Sequence, residues 1–270
     1  MQYVLIDESN GATTTSGEAL TLDILAKAAS LLTVFLNAHV AKYWGIPGGA
    51  SVRVGTGPDD LQPNELPAHI RATITEAPGA IAYHTINGVG VPAIEDGLTL
   101  SDTLFGPGGW LVAMSHEMAE TEGDPGTNIL CADNSGKLFA RELGDPVEAF
   151  GWNLVLPDGT SGFVTNFVLP SYFVTGSPGP YDYMTAMGFD GAVAPPGPFQ
   201  IAPAGGGDYQ IWEPDPQNEQ QVTAVRMGAV KRGELAPLIK PQVDGCLDHR
   251  AAKKRYIGSR LSRRGVRLAG

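Results

Sequence analysis

A chain of 270 residues accommodates one sizeable domain with extensions or two small ones, and its 43% hydrophobic content supplies a core. Charged residues are only 17%, while Gly (35) and Pro (21) are plentiful, which argues for a turn-rich folded body and against a helical bundle. The net charge of −11 is uneven: residues 249–270 hold eight of the 18 Lys and Arg and no acid, leaving the preceding 248 residues at −19, an excess that argues against nucleic-acid binding by the body.

The opening MQYVLIDESNG carries acid where a secretory signal carries Lys or Arg, and lacks the apolar region that follows one. No uninterrupted apolar run approaches the roughly 18 to 20 residues that cross a bilayer, so a soluble protein is expected. Residues 17–43 repeat apolar side chains at spacings of three and four, predicting a long amphipathic helix that stops near Pro47 and its glycines. Strands are expected over 51–57, 69–76 and 80–86. GVGVPAI (88–94) reads as an edge segment, because Pro92 cannot donate to a central ladder. A second helix is predicted over 109–122, ended by Gly123 and Pro125. Beyond it, short β-like runs alternate with turns through residue 175. Residues 176–207 are rich in Pro and Gly, and 205–214 returns as a strand. Cys131 and Cys246 match neither a disulfide framework nor a thiolate metal site, and buried thiols are expected.

SHEMAETEGDP (115–125) carries the chemistry. On a helix, His116 and Glu120 are four apart and rise from one stripe, about 40° apart around the axis. Gly109 and Ala113 continue that stripe with small side chains, which leaves room above it. Leu111, Met114 and Met118 lie on the opposite arc and form the core face. In H-E-x-x-H two imidazoles hold zinc, and the intervening Glu takes a proton from metal-activated water. Here Glu120 replaces the second His, and Glu117 stands where the base stands. The bland alternative is the wet side of a surface helix. Two ligands from one helix need a third, and Asp124, Glu142 and Asp145 are the candidates, each of which also reads as an exposed acid in a turn. His84, on the strand 80–86, is a structural histidine or a supporting partner beneath the helix.

SHEMAETEGDP, AHVAKYWGI, GAIAYHTINGVGVP, GKLFARELGDPVEAFGW, TNFVLPSYF and PFQIAPAGGGDYQIW occur in order over roughly residues 20–215. Together they resemble the metallopeptidase-like proteins of phages, prophages and bacteria that carry H-E-x-x-E-x-x-x-D-P. Glu122, Gly123, Ala82 and Gly144 depart from that pattern. The resemblance implies an α+β, zincin-like fold: a twisted sheet packed against the long N-terminal helix and a metal-binding helix, followed by a Pro/Gly-rich C-terminal region. It also implies that His116 and Glu120 bind Zn2+ and that Glu117 is the general base. Glu142 and Asp145 fall where the family keeps a second acidic pair.

The expected organisation is a metallopeptidase-type domain over 1–175, a Pro/Gly-rich extension over 176–248 and a basic tail over 249–270. Three functions stay open. The first is a zinc-dependent peptidase acting on a peptide or protein substrate. The second is a non-catalytic virion protein whose partners are other virion proteins. The third is a metal site serving stability alone. The tail is expected to meet an acidic partner, and the setting is the bacterial cytoplasm or the virion.

Overall fold

A computed structural model describes residues 1–77, 80–87 and 90–203, together with the backbone of 210–215 and 218–226. Cys246 and the basic tail lie outside the described residues. The chain divides into two compact units. Unit 1 is Met1–Pro125 with Gly151–Phe167, and unit 2 holds Gly126–Phe150 and the described residues from Val168 onward.

Unit 1 is built on a twisted, mostly parallel five-stranded sheet. Its strands are β1 (Gln2–Glu8), β2 (Ser51–Val54), β3 (Glu65–Arg71), β4 (Ala82–Ile86) and β5 (Pro92–Gly97), in the spatial order β2-β1-β3-β5-β4. Only β4 runs antiparallel to its neighbour. The interior strand β1 starts in the stretch read from sequence for its acids and its missing apolar run. Its run Tyr3–Ile6 is wholly buried, as strands covered on both faces are.

Two further strands depart from the sequence reading. The segment around Pro92 is not an edge: β5 lies between β3 and β4, and Pro92 is its first residue, where a missing donor costs little. The strand expected over 69–76 starts earlier and ends at Arg71, because the next carbonyl, of Ala72, accepts from the backbone N–H and hydroxyl of Thr99.

The long helix forms from Leu22, where the Thr21 side chain caps it by accepting from the Ile24 N–H. It runs as α1 (Leu22–Val34), a π-helical stretch (Phe35–Ala41) and α2 (Lys42–Trp44), and ends at Gly45 in the left-handed conformation, φ 63°. Over an 18-residue window this helix is long and apolar enough to cross a membrane, with mean hydropathy 1.5. Its apolar face, with Leu25, Leu31, Leu32, Phe35 and Leu36, is buried, and α1 packs on β2. Thr33 Oγ1 accepts from the Val52 N–H at 3.0 Å, and Asn37 bonds both backbone groups of Ala50.

The second long helix, α3 (Trp110–Gly123), follows the one-turn 3-10 segment Leu98–Leu100 and packs on β4 and β5. Leu111, Met114 and Met118 are fully buried, as their spacing predicts. The hairpin β8 (Gly151–Val155) and β9 (Ser161–Thr165) returns to unit 1 against α3, where the Ser115 hydroxyl accepts from the Thr165 N–H at 3.0 Å.

In unit 2, β6 (Leu130–Ala132) and β7 (Leu138–Ala140) form a hairpin extended by β10 (Gln210–Asp215) and β11 (Asn218–Arg226). The return of the chain as a strand after 205 thus holds from Gln210. The core of this unit gathers Phe139, Val147, Val168, Tyr172 and Phe199. Among its described residues the Pro/Gly-rich segment contains one short helix, α4 (Tyr183–Met187), capped by Asp182. Cys131 is half-buried and forms no disulfide among the described residues.

Candidate metal centre

The helix carrying SHEMAETEG has no wet side in its second half. Every residue from Met114 to Gly123 is buried, including His116, Glu117, Glu120 and Glu122. Burying ionisable groups costs several kcal/mol each unless they are paired or bind an ion, so this segment needs a chemical reason that a surface helix would not.

The reason is on the facing sheet. In the antiparallel register of β4 and β5, His84 stands opposite Ile94 and Ala82 opposite Asp96, so these four side chains share the face turned to α3. His84 Nδ1 lies 3.0 Å from Glu117 Oε2 and 3.1 Å from Glu120 Oε2. On the helix itself, His116 Nε2 lies 3.2 Å from Glu120 Oε1. Two imidazoles and two carboxylates thus converge, although His84 is 33 residues from Glu117 in sequence. Two acceptor carboxylates around Nδ1 favour the tautomer that carries the His84 proton on that nitrogen.

His84 and Glu120 present ligand atoms within 4.8 Å of one another, as do His116 and Glu120. This buried His/Glu group could hold a metal ion, and its nitrogen and oxygen donors are of the kind that bind zinc and other first-row divalent ions. His84, expected as a supporting partner, stands among the donors themselves.

The electrostatics follow the geometry. Burial pushes the Glu120 carboxyl up, but His116 and then His84 beside it outweigh this and hold it well below the usual carboxylate range. Asp96 behaves oppositely. It is fully buried, and burial first, then the charge of Glu117, raise its carboxyl well above the ordinary value. Among the described residues no group donates a hydrogen bond to either Asp96 oxygen. Sequence reasoning missed Asp96. Its signal was the two-residue step from Ile94, which puts it on the His84 face once β4 and β5 are paired in register.

Asp124 ends α3, fully buried, with its backbone N–H donating to the Glu120 carbonyl at 2.7 Å. Glu142 and Asp145 belong to unit 2: Glu142 is buried, and Asp145 is half-buried as the first residue of the 3-10 turn Asp145–Val147. Glu122 accepts from the Tyr3 hydroxyl at 3.0 Å, and so ties the end of α3 to β1.

Gly109 does not clear space over the stripe; a Cβ there would meet the Gly106 carbonyl oxygen at 2.7 Å and that of Thr103 at 2.9 Å. It is small because the backbone before the helix passes against it. Ala113, one turn further along, is half-buried.

Compared with protein families, characterised proteins and solved structures, the chain matches none.

Proposed function

We propose that the protein is a divalent-metal hydrolase of the metallopeptidase type, zincin-like in its use of a helix-borne His-Glu-x-x-Glu motif. The observation that supports this most is the meeting of His84 from β4 with Glu117 and Glu120 from α3, beside His116, in a buried setting. His116, Glu120 and His84 are the ligands within unit 1. The acids read from the sequence as further ligands, Asp124, Glu142 and Asp145, remain candidates.

A bound zinc ion would supply Lewis acidity, making a water more acidic and a peptide carbonyl more electrophilic. Glu117 takes the proton from the attacking water as its oxygen bonds to the carbonyl carbon. It then passes that proton to the nitrogen as the C–N bond breaks. His84, donating to Glu117 Oε2, orients that carboxylate for the transfer.

Elemental analysis of the purified protein beside single variants tests this. About one divalent metal per chain is expected, with the metal lost in His116→Ala and Glu120→Ala. In Glu117→Gln the metal stays, while cleavage of a peptide library falls by at least about 100-fold, the scale of a lost acid–base group. Wild-type protein that holds no metal after equilibration with zinc would overturn the proposal. Substituting Asp124, Glu142 and Asp145 one at a time identifies which acid joins the ligand set.

A further inference from the structure

Unit 2 contains a cleft of about 590 Å³, a volume in the range of small-molecule sites. Its lining comes from the loop 133–137 between β6 and β7, from residues 175–176 after the 3-10 turn Pro170–Phe173, and from residues 198–200. None of the residues of the proposed metal centre takes part in it.

Two parts of this lining are fixed before any ligand arrives. Phe199 has φ 60°, a left-handed conformation that a bulky side chain keeps only where its surroundings hold it, and such residues gather at binding sites. Its N–H donates to the Tyr172 carbonyl at 3.1 Å, and its ring meets that of Phe139 at a centroid distance of 4.7 Å. In the loop, Asp133 Oδ1 accepts from the Ser135 N–H at 2.8 Å, the Ser135 hydroxyl at 2.7 Å and the Lys137 N–H at 3.0 Å.

The chemistry of the lining decides what fits. Its charged residues are Asp133 and Lys137, opposite in sign, so there is no excess charge to capture a phosphate or a nucleic acid. A lipid chain would offer nothing to the amides of Asn134 and Gln200 or to the Thr175 hydroxyl. A peptide captured by strand addition needs a free strand edge, but β7 lies between β6 and β10 and is paired on both sides. What fits is a neutral molecule that donates and accepts hydrogen bonds along one side and presents C–H groups along another.

We infer that this cleft binds a neutral saccharide. Asn134, Thr175 and Gln200 pair with its hydroxyls, since amides and hydroxyls both donate and accept as a sugar does. Phe199, with Pro198 beside it, meets the C–H face of the ring, whose partial positive charge suits an aromatic surface. The site stands apart from the hydrolase reading and uses none of its residues.

The test takes the full chain and a panel of glucose, galactose, mannose, N-acetylglucosamine, maltose, cellobiose and chitobiose, with binding read by saturation-transfer NMR and calorimetry. At least one sugar is expected to bind with a dissociation constant of about 1 mM or tighter. Asn134, Thr175 and Gln200 are exposed, so Asn134→Ala, Thr175→Val and Gln200→Ala are expected to keep the wild-type melting temperature. Each is expected to weaken the sugar by about 3- to 10-fold, the worth of one hydrogen bond between neutral groups. A panel in which no sugar binds at that level overturns the inference. So does binding that all three variants leave unchanged, which would put the sugar elsewhere on the chain. Protein that takes tetraalanine or inorganic phosphate and no sugar overturns it as well.

Discussion

Asp96 and Glu120 are both buried carboxyls on the same site, yet their proton affinities move in opposite directions. Glu120 has imidazoles beside it, which favour its charged form. The charged form of Asp96 is opposed by its burial first and then by the charge of Glu117. The difference gives stability a defined pH dependence. The Asp96 carboxyl holds its proton more tightly in the folded chain than in the unfolded one, where it titrates near 3.8. Its contribution to stability is therefore complete below about pH 4 and is lost as pH rises through the higher folded value. Asp96→Asn carries no titrating group and escapes that loss. In metal-free protein, the variant's melting temperature relative to wild type is expected to rise between pH 4 and pH 8. Each tenfold difference in proton affinity between folded and unfolded chain is worth about 1.4 kcal/mol. A melting-temperature difference flat across that range would show that Asp96 is not titrating differently on folding. The residue scale is also where the sequence was partly readable. His116, Glu117 and Glu120 were visible because helical spacing is periodic and local. The role of His84 depended on which helix crosses its strand, and Asp96 depended on strand pairing, neither of which a single sequence displays.

At the level of elements, the two helices were legible and the sheet order was not. Helix α3 was found within about a residue of its true bounds, since Gly123 and Pro125 stop it by backbone chemistry alone. Strand β5 was misplaced because Pro92 was weighed as an interior residue, whereas it opens the strand. The contact that seats α3 was equally unreadable. At Gly162 on β9, an added Cβ would meet Leu111 Cδ2 at 2.5 Å, and Leu31 Cδ1 and Phe105 Cδ1 at 3.0 Å each. The side chains come from both long helices and from the loop before α3, so glycine is what lets β9 approach them. Its backbone is not in the left-handed region, so the demand is for space. Gly162→Ala is expected to destabilise the protein by about 1–3 kcal/mol through overpacking, read as a lower denaturant midpoint at unchanged slope. A variant as stable as wild type would mean that the three side chains yield freely, and that β9 does not fix the seating of α3.

On the scale of the whole molecule, composition located neither unit. Reading Pro and Gly density separates the chain near residue 175, whereas the compact units interleave: Gly126–Phe150 leaves the first unit and Gly151–Phe167 returns to it. Composition registers where a chain is turn-rich, but a unit is defined by which apolar faces meet, and those meetings are long-range. Each unit has its own core, Tyr3, Leu5, Phe35 and Trp110 in the first and Phe139, Tyr172 and Phe199 in the second. Unfolding by heat is therefore not bound to a single step. Metal enters this picture by mass action, since an ion that binds the folded site and not the unfolded chain adds RT ln(1 + [L]/Kd). Zinc at about 100 times its dissociation constant is expected to add about 2.7 kcal/mol to the step in which the His84–Glu120 contact is lost. Calorimetry with and without zinc should show that step moving to higher temperature. Both His84→Ala and Glu120→Ala should abolish the shift, because each removes a donor from the buried group. A zinc-dependent rise that survives both substitutions would place the ion elsewhere on the chain, and no rise in wild type would leave the buried His/Glu group to be balanced by protons alone.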